Sequence, residues 1–241
     1  NNRGLIKSSL ENIDNGIGET KMTNVYYPDD ITTINSLPNG SLATAPFNAF
    51  IALKQKNNIN TPVQINTFKN NQLIFTKRAL YKNWGNNIIL PCIVQTAKAA
   101  NNLEDKIIYN LVDTSNGNYL EAQQQNGAKI SYIWGYNKTL LIAKIENAAY
   151  TDIPLTTINN LQSKSNSDTE ANLIIALNNL RNSLPNGMVT TYTHKPLIGV
   201  SSITDPKGNT TYYEYDPYGR LKNTKDDDKY ILKENEYHYK N

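Results

Sequence analysis

The feature that most constrains this sequence is a set of chain reversals that recur every ten or eleven residues. Asp205-Pro206-Lys207-Gly208 and Asp216-Pro217-Tyr218-Gly219 place the same residue types eleven positions apart. Asp bonds back to the backbone, Pro presets the next φ, and Gly adopts the left-handed conformation that leads into a new strand. Asp226-Asp227-Asp228-Lys229 indicates a third reversal. The spacing therefore predicts antiparallel β-hairpins with short strands.

An earlier series of turns has the same spacing and a different chemistry. Its members are Asn116-Gly117, Asn126-Gly127 and Asn137-Lys138. Asn-Gly between alternating segments is a strong short-range signal for a hairpin. Two further hairpins are predicted, one over residues 4–27 around Asn15-Gly16 and one over residues 62–82 around Asn70-Asn71. The predicted fold class is mainly β, an antiparallel hairpin array.

Aromatic residues recur at spacing two within the predicted strands. The sets are Tyr132, Trp134 and Tyr136, then Tyr213 and Tyr215, then Tyr237 and Tyr239. Alternate residues of a half-buried sheet face inward, so we expect most of these rings to form core contacts between strands. The alternative is an exposed platform that stacks on sugar rings. For that alternative, the candidate glycan contacts lie outside the sets, at Trp84, near Tyr81, and at Tyr119.

Three segments depart from the β pattern and predict helices. Ser167-Asp168-Thr169-Glu170 is a capping box, in which the Ser hydroxyl accepts an early helical N–H. Leucines at helical spacing follow it, so a helix is predicted over about residues 168–184. A shorter helix is predicted just before it, at about residues 152–161, and a third over residues 45–57 with Pro46 in its first turn.

These elements suggest three parts. Residues 1–146 would hold the first hairpins with the short helix near 45–57, residues 147–187 a small helical insert, and residues 188–241 the last hairpins. Because the chain starts Asn1-Asn2-Arg3-Gly4 without an initiating Met or a signal peptide, we interpret it as a mature or partial fragment.

Charge and cysteine content exclude several classes of function. The net charge is only +3, from 24 Lys and Arg against 21 Asp and Glu, so nucleic acid is not a predicted partner. The single cysteine, Cys92, excludes an intrachain disulfide and a multi-cysteine zinc site. No apolar stretch reaches the roughly 18 residues that span a bilayer, so the chain is not predicted to cross a membrane.

Catalytic residues and metal ligands are scarce. The histidines are His194 and His238, no Gly-x-Ser-x-Gly motif occurs, and Cys92 lies in an apolar run. We therefore predict structural roles for all three, no enzyme activity and no cofactor. Asp226 to Asp228, with the aspartates of the neighbouring turns, could surround Ca²⁺, but their spacing matches neither an EF-hand nor a calcium-binding repeat. Turn formation explains each Asp by itself, so no metal site is predicted.

One nine-residue segment carries a family likeness. Residues 213–221 read Tyr-Glu-Tyr-Asp-Pro-Tyr-Gly-Arg-Leu and resemble the tyrosine-aspartate (YD) repeat of rearrangement-hotspot (RHS) proteins. The residues that carry the match are Tyr213, Tyr215, Asp216, Gly219, Arg220 and Leu221. In such proteins the hairpins wind into a continuous β-sheet that can close as a hollow shell. The resemblance implies that this chain supplies part of a shell, or a capped end.

A wider stretch is similar to one branch, the large secreted surface proteins of Bacteroidota. The segments that carry this likeness are 131–137, 143–148, 188–193, 199–216 and 235–241. The resemblance implies the C-terminal region of an exported cell-surface protein, secreted by the type IX system and related to gliding adhesins. Toxin-enclosing RHS shells end in an Asp-Pro-x-Gly-Leu signature and a toxin. Here Arg220 precedes Leu221 and no toxin-sized extension follows.

The leading hypothesis is thus a non-enzymatic structural and interaction module at the bacterial surface. Its expected partners are upstream repeats of the same polypeptide and a protein of the export or outer-membrane machinery, docked at the C-terminal strand edge within residues 230–241. The alternatives are a carbohydrate-binding domain that takes polysaccharide and, ranked last, part of a toxin-enclosing shell.

Overall fold

The computed structural model describes residues 4–13 and 18–237. Within these ranges the chain forms fourteen β-strands, three α-helices and two short 3-10 helices. The predicted fold class, a mainly β hairpin array with a small helical insert, is confirmed. The chain divides into two compact units, residues 1–127 and 128–241. The three-part division at residues 146 and 187 follows element type and stays a prediction.

The first unit is a run of seven antiparallel strands, each paired with the next one in the chain. They are β1 (Ser8–Ile13), β2 (Glu19–Tyr26), β3 (Gln64–Lys69), β4 (Gln72–Asn83), β5 (Ile89–Lys98), β6 (Glu104–Val112) and β7 (Tyr119–Gln124). The β3–β4 hairpin turns at Asn70 and Asn71, both with left-handed φ, of 48° and 63°. The predicted turn at Asn15-Gly16 lies outside the described residues.

The second unit repeats this arrangement with seven more strands in chain order. They are β8 (Lys129–Gly135), β9 (Leu140–Glu146), β10 (Met188–Lys195), β11 (Gly199–Thr204), β12 (Thr210–Tyr215), β13 (Leu221–Lys225) and β14 (Ile231–Glu234).

Each unit contains one helical excursion that leaves the sheet and returns to the neighbouring position. In the first unit the excursion carries a 3-10 turn (Pro28–Asp30) and helix α1 (Thr44–Gln55), and Tyr26 pairs with Gln64 across its base. In the second unit it carries a 3-10 turn (Tyr150–Asp152), α2 (Leu155–Ser167) and α3 (Glu170–Ser183). Glu146 there pairs with Met188. The inserts therefore leave the order of the hairpins unchanged.

The α2–α3 junction differs from the predicted capping box. Helix α2 is 13 residues long and runs through Ser167, whose hydroxyl donates to the carbonyl of Ser163 at 3.1 Å. The cap of α3 is Thr169, whose side chain accepts a hydrogen bond from the Asn172 amide. The assignment of Ser167 as cap was wrong, because the preceding helix extends further than its apolar spacing suggested.

Asp168 links the two helices. Its carboxylate accepts from the Thr169 amide and the Asn172 side chain, both at 2.7 Å, and from Lys164 Nζ at 2.7 Å. The hydrogen bond from Lys164, followed by those from Asn172 and Thr169, lowers the pKa of Asp168 from 3.8 to about 2. The ionised carboxylate therefore stabilises this junction.

The core of the second unit is aliphatic. Helices α2 and α3 pack on one side of β8 to β10, where Ile133, Ile142 and Ile145 are fully buried. Leu161 and Leu173 face them from the helices. Among the predicted aromatic residues, Tyr136 is half-buried and packs against this cluster. The fully buried side chains of the cluster are aliphatic, because the helices cover the face of β8 opposite to its aromatic residues.

In the first unit a buried arginine holds the loop before α1. Arg78 is 3% exposed, its Nε donates to Gln64 Oε1 at 2.6 Å and its Nη2 to the Pro38 carbonyl at 2.8 Å. Gln64 donates to the same carbonyl at 3.0 Å. Burial lowers the pKa of Arg78 to about 10. The charge is thus solvated by polar oxygens that fix the loop to β3 and β4.

Among the helices within residues 4–13 and 18–237, none has both the length and the hydropathy of a membrane span.

Gly135 permits the close approach of α2 to β8, and we predict that Gly135→Ala destabilises the protein. An added Cβ would lie 2.5 Å from Ser165 Oγ and 2.8 Å from Ile142 Cγ2. Overpacking of this kind costs about 1–3 kcal/mol, measurable as a lower midpoint of denaturant unfolding. Gly187→Ala is the control, since its nearest contact would be 3.3 Å. An equal decrease of the unfolding midpoint in both variants would contradict the packing argument.

The Asp168 junction predicts an acid-sensitive contribution to stability. Because the folded pKa is about 2 and lies below the ordinary 3.8, the contribution is complete above pH 4 and is lost as the pH falls toward 2. Asp168→Asn should therefore lower the thermal midpoint at pH 7, and its difference from the wild type should shrink between pH 4 and pH 2. A difference that is constant with pH would assign the effect to something other than the carboxylate.

Candidate functional site: the aspartate turns and the outer strand

The YD-like segment forms the turn between β12 and β13, and its Asp holds the reversal. The Gly219 amide donates to the Asp216 carbonyl at 2.9 Å, and Gly219 has a φ of 75°. Asp216 Oδ1 accepts from the amides of Tyr218 and Arg220, both at 2.9 Å. One carboxylate oxygen therefore satisfies two amides of its own turn, while Gly adopts the left-handed conformation.

The other carboxylate oxygen of Asp216 binds the side chain of Arg220. Arg220 Nε and Nη2 each lie 2.7 Å from Oδ2. The same guanidinium lies 5.2 Å from the Tyr218 ring and 4.3 Å from the Tyr237 ring. Tyr237 donates its hydroxyl to the Leu221 carbonyl at 2.8 Å. The Asp, Arg and Leu of the motif thus connect the turn to the segment after β14.

The electrostatics of Asp216 agree with this role. Desolvation alone would raise the pKa of Asp216, but the backbone and side-chain hydrogen bonds from Arg220 outweigh it, and the pKa is lowered. The carboxylate is therefore held in the ionised form that accepts these bonds.

The turns before and after the Asp216 turn have a similar pattern of hydrogen bonds to an Asp. Asp205, followed by Pro206, accepts from the amides of Lys207 and Asn209 at 2.9 Å, and the Gly208 amide donates to the Asp205 carbonyl at 3.0 Å. Asp226 accepts from the Tyr230 amide at 2.8 Å. In that third turn Lys229, with a φ of 69°, stands where the other two have Gly.

The earlier turns use Asn and Gly in the left-handed region. Gly117 has a φ of 87° and donates to the Asp113 carbonyl at 2.8 Å, next to Asn116. Asn126 has a φ of 57°, and the Gly127 amide donates to the Gln124 carbonyl at 2.9 Å. Chain reversals thus contain the predicted turn residues Asn116, Gly117, Asn126, Gly127, Asp205, Pro206 and Gly208.

The aromatic residues of β8 lie on the face opposite the helices. Tyr132 and Trp134 are half-buried, whereas Ile133 between them is fully buried under α2 and α3. Tyr136 follows the strand in a left-handed turn, with a φ of 49°, and its hydroxyl accepts from the His194 amide at 2.9 Å. The three rings therefore do not form one stripe, because the backbone changes direction before Tyr136.

Tyr213 and Tyr215 are also half-buried, and a bulge separates them in the β12–β13 pairing. Tyr215 donates to the Val200 carbonyl at 2.8 Å and covers Gly199, where an added Cβ would clash with the phenol oxygen. Tyr237 is 44% exposed and follows β14 instead of lying within a strand. Tyr239 and His238 lie outside the described residues.

The two candidate glycan contacts lie in the first unit, and their polar atoms are already engaged. Trp84 Nε1 donates to the Leu90 carbonyl at 3.3 Å. Tyr119 donates to the Pro91 carbonyl at 2.9 Å and stacks on Tyr109 with ring centres 4.0 Å apart. Both rings are half-buried, while nearby Tyr81 is 5% exposed and packs on the α1 side. Glycan binding by Trp84 and Tyr119 stays a prediction.

The titratable residues considered for catalysis are used in packing. His194 Nε2 lies 2.8 Å from the Leu141 carbonyl, and its ring meets the Tyr136 ring edge to face at 5.4 Å. Burial raises the pKa of the Cys92 thiol, which lies 3.4 Å from the Leu80 carbonyl. In the described ranges no group of three or more His, Cys, Asp or Glu side chains is arranged to hold a metal ion.

A cavity of about 560 Å³ lies beside His194, between the β8–β9 turn, the α2–α3 junction and the β10–β11 turn. Its rim carries Leu197, whose side chain is fully exposed and whose φ is 66°.

The outer strand of the second unit, β14, is exposed along its whole length. Ile231 is 54% exposed and Leu232 63% exposed, while Tyr230 before the strand is 71% exposed. Within the described residues β14 pairs with β13 alone, through Asn223 opposite Glu234 and Thr224 opposite Lys233. The structure thus presents a sheet edge with large apolar side chains at the predicted docking strand.

Two residues of α3, Glu170 and Arg181, make contacts with the sheet that the sequence did not predict. Glu170 Oε1 accepts from the hydroxyls of Thr193 and Ser201 at 2.6 and 2.7 Å. Arg181 donates to the Val189 carbonyl at 3.3 Å. The partners of Glu170 lie 23 and 31 residues away in the sequence and that of Arg181 lies eight residues away, so no helical or strand spacing predicts these contacts. The Thr and Ser residues of β10 and β11 are the one sequence signal for them.

No protein-family model matches the chain, and a search of curated proteins found no match either. Among solved structures, the chain is similar to a mutant Tc holotoxin pore of Photorhabdus luminescens, with a TM-score of 0.35 and 13% identity. It is also similar to crystal structures of TcdB2-TccC3-Cdc42 (TM-score 0.37) and of TcdB2-TccC3 without its hypervariable C-terminal region (0.36), at 14% identity. The alignments cover 93% of this chain and 11% of each of those chains.

The Asp216 turn predicts a specific loss of stability. Asp216→Ala removes the acceptor of two turn amides and of the Arg220 side chain, so the thermal midpoint should fall by several degrees. Asp227→Ala, at an exposed position of the third turn, is the matched control and should leave the midpoint unchanged. If both variants melt together with the wild type, the Asp216 carboxylate does not stabilise the fold.

Proposed function

We propose that this chain is a non-enzymatic structural and interaction module, a YD-type hairpin array of an exported bacterial surface protein. It docks to its partners through strand β14. The partners are neighbouring repeats and components of the export or outer-membrane machinery, and the protein acts as an adhesin at the cell surface.

The observation that carries the proposal is the Asp216 turn. Asp, Gly and Arg of the YD-like segment each have a defined role there, in the turn itself and in the contact with Tyr237. The same reversal recurs at Asp205 and Asp226. A repeated reversal of this kind builds a sheet by adding hairpins at one edge. The repeat therefore supports a structural role for the chain.

The state of the nucleophile candidates supports a non-enzymatic role. Catalysis requires a nucleophile and a base within hydrogen-bond reach. Cys92 and His194 instead contact main-chain carbonyls, of Leu80 and Leu141. The resemblance of residues 131–137 and 199–216 to Bacteroidota surface proteins supports export across the outer membrane by the type IX system.

The geometry of β14 supports docking by strand addition. The Asn235 amide donates to the Lys222 carbonyl at 2.9 Å, so Asn235 faces β13. Because antiparallel pairs alternate, the N–H and C=O of Glu234 point away from β13. An incoming strand can therefore pair with Glu234 without disturbing the bonds of β14 to β13.

Glu234→Pro tests this docking mode. Proline removes an amide that faces away from β13, so the fold should persist while the edge loses its donor. In cells that produce the natural protein, we expect Glu234→Pro to reduce its surface display and cell adhesion.

Glu234→Ala is the matched control, because it removes the carboxylate and keeps the amide. We expect this variant to behave as the wild type. Surface display and adhesion that are the same for the Pro variant, the Ala variant and the wild type would contradict docking through β14.

A further inference from the structure

The first unit presents a second exposed edge, strand β1. All six residues of β1 are exposed, including Leu10 at 67% and Ile13 at 36%. In the described ranges β1 pairs with β2 alone. The strand contains neither Lys nor Pro, the residues that commonly protect an edge against pairing with another chain. Within the described residues, the backbone groups of β1 that face away from β2 are therefore available for strand addition.

The hydrogen-bond pattern shows which β1 residues are available. The Val25 amide donates to the Lys7 carbonyl at 2.9 Å, so Lys7 faces β2. Because antiparallel pairs alternate, Ser8, Leu10 and Asn12 direct their N–H and C=O away from β2. An antiparallel partner strand that offers Glu234 can thus take three registers, with Glu234 opposite Ser8, Leu10 or Asn12.

Charge selects one of these registers. With Glu234 opposite Leu10, Lys233 lies opposite Glu11, in a position where the two side chains of a pair come closest. The other two registers place Lys233 opposite Ser9 or Ile13. Glu11 is 62% exposed, so its contact with Lys21 leaves it accessible. Opposite charges across the strands favour the Leu10 register.

In the Leu10 register the sheet faces that carry the two inserts also lie on the same side. Leu10 shares a face with the buried polar residues that hold the insert of the first unit, by way of Met22, Phe68, Asn66 and Gln64. Glu234 shares a face with the residues below α3, by way of Asn223, Glu214, Tyr212, Ser202 and Thr193. Pairing Leu10 with Glu234 therefore continues each sheet with its insert on the same side.

We infer that β14 of one copy adds to β1 of a second copy, with Glu234 opposite Leu10 and Lys233 opposite Glu11. This inference rests on the proposed function of β14 as a docking strand and names its partner as another copy of this chain. Pairing β14 with β14 about Glu234 would place two like charges opposite each other. Because β1 and β14 differ, the contact leaves one open edge at each end, and association continues beyond a dimer.

Sedimentation velocity over a series of protein concentrations tests the inference. The wild type should form species that grow past the dimer as concentration rises. Glu11→Lys and Lys233→Glu should each weaken association about five-fold, because each places like charges opposite each other. The double variant, which exchanges the charges, should restore association. Lys195→Glu, on β10 away from both edges, is the control for net charge and should have no effect.

Glu234→Pro should leave only monomers. Circular dichroism and the thermal midpoint show whether that variant is folded. Amide exchange gives a second readout: in the wild type, exchange at Leu10 and Glu234 should slow with concentration, whereas exchange at Ser9 should not.

Monomers at all concentrations, or dimers that Glu234→Pro leaves intact, would overturn the inference. If the wild type stays monomeric while Glu234→Pro still reduces adhesion on cells, a second copy is excluded as the partner of β14. The proposed function then stands, because β14 remains the docking strand for another partner.

Discussion

The hydrogen bonds that an Asp carboxylate accepts from the amides of its own turn are the interaction on which the order of the last hairpins, β11 to β14, depends. At Asp205, Asp216 and Asp226 the carboxylate accepts from amides two or four residues ahead, so each reversal is specified by residues next to each other in the chain. A reversal of local origin does not require distant contacts to form first. The sheet can therefore grow hairpin by hairpin in chain order.

The helical inserts depend on that order and do not interrupt it. Strand β10 returns to the position beside β9 after 41 residues, and β3 to the position beside β2 after 37 residues. In the second unit a buried aliphatic layer returns the chain, with Ile133, Ile142 and Ile145 on the sheet against Leu161 and Leu173 on the helices. In the first unit the corresponding buried cluster includes the rings of Phe50 and Tyr81. Burial of this apolar surface offsets the entropy cost of closing such long loops.

The same buried layer determines on which face of β8 the aromatic side chains lie. Only one face of β8 can lie under α2 and α3, and the close contact at Gly135 commits the face of Ser131, Ile133 and Gly135 to the helices. Tyr132 and Trp134 then face the other way. Tyrosines near the turns use their hydroxyls on backbone carbonyls instead, as Tyr215 does on Val200 and Tyr237 on Leu221.

The sequence by itself determined the mainly β class, the positions of the turns and the presence of three helices, because Asp-Pro-x-Gly, Asn-Gly and leucine spacing act over a few residues. Tertiary structure alone decided which alternate residues of β8 are buried and how far α2 extends beyond its apolar pattern. It likewise decided that Arg78 and Glu170 fix the inserts to their sheets. It also decided that the edge atoms of Leu10 and Glu234 point outward, since that depends on the register of each strand with its neighbour. Burial and register arise from contacts between residues far apart in the chain, and no local pattern encodes them.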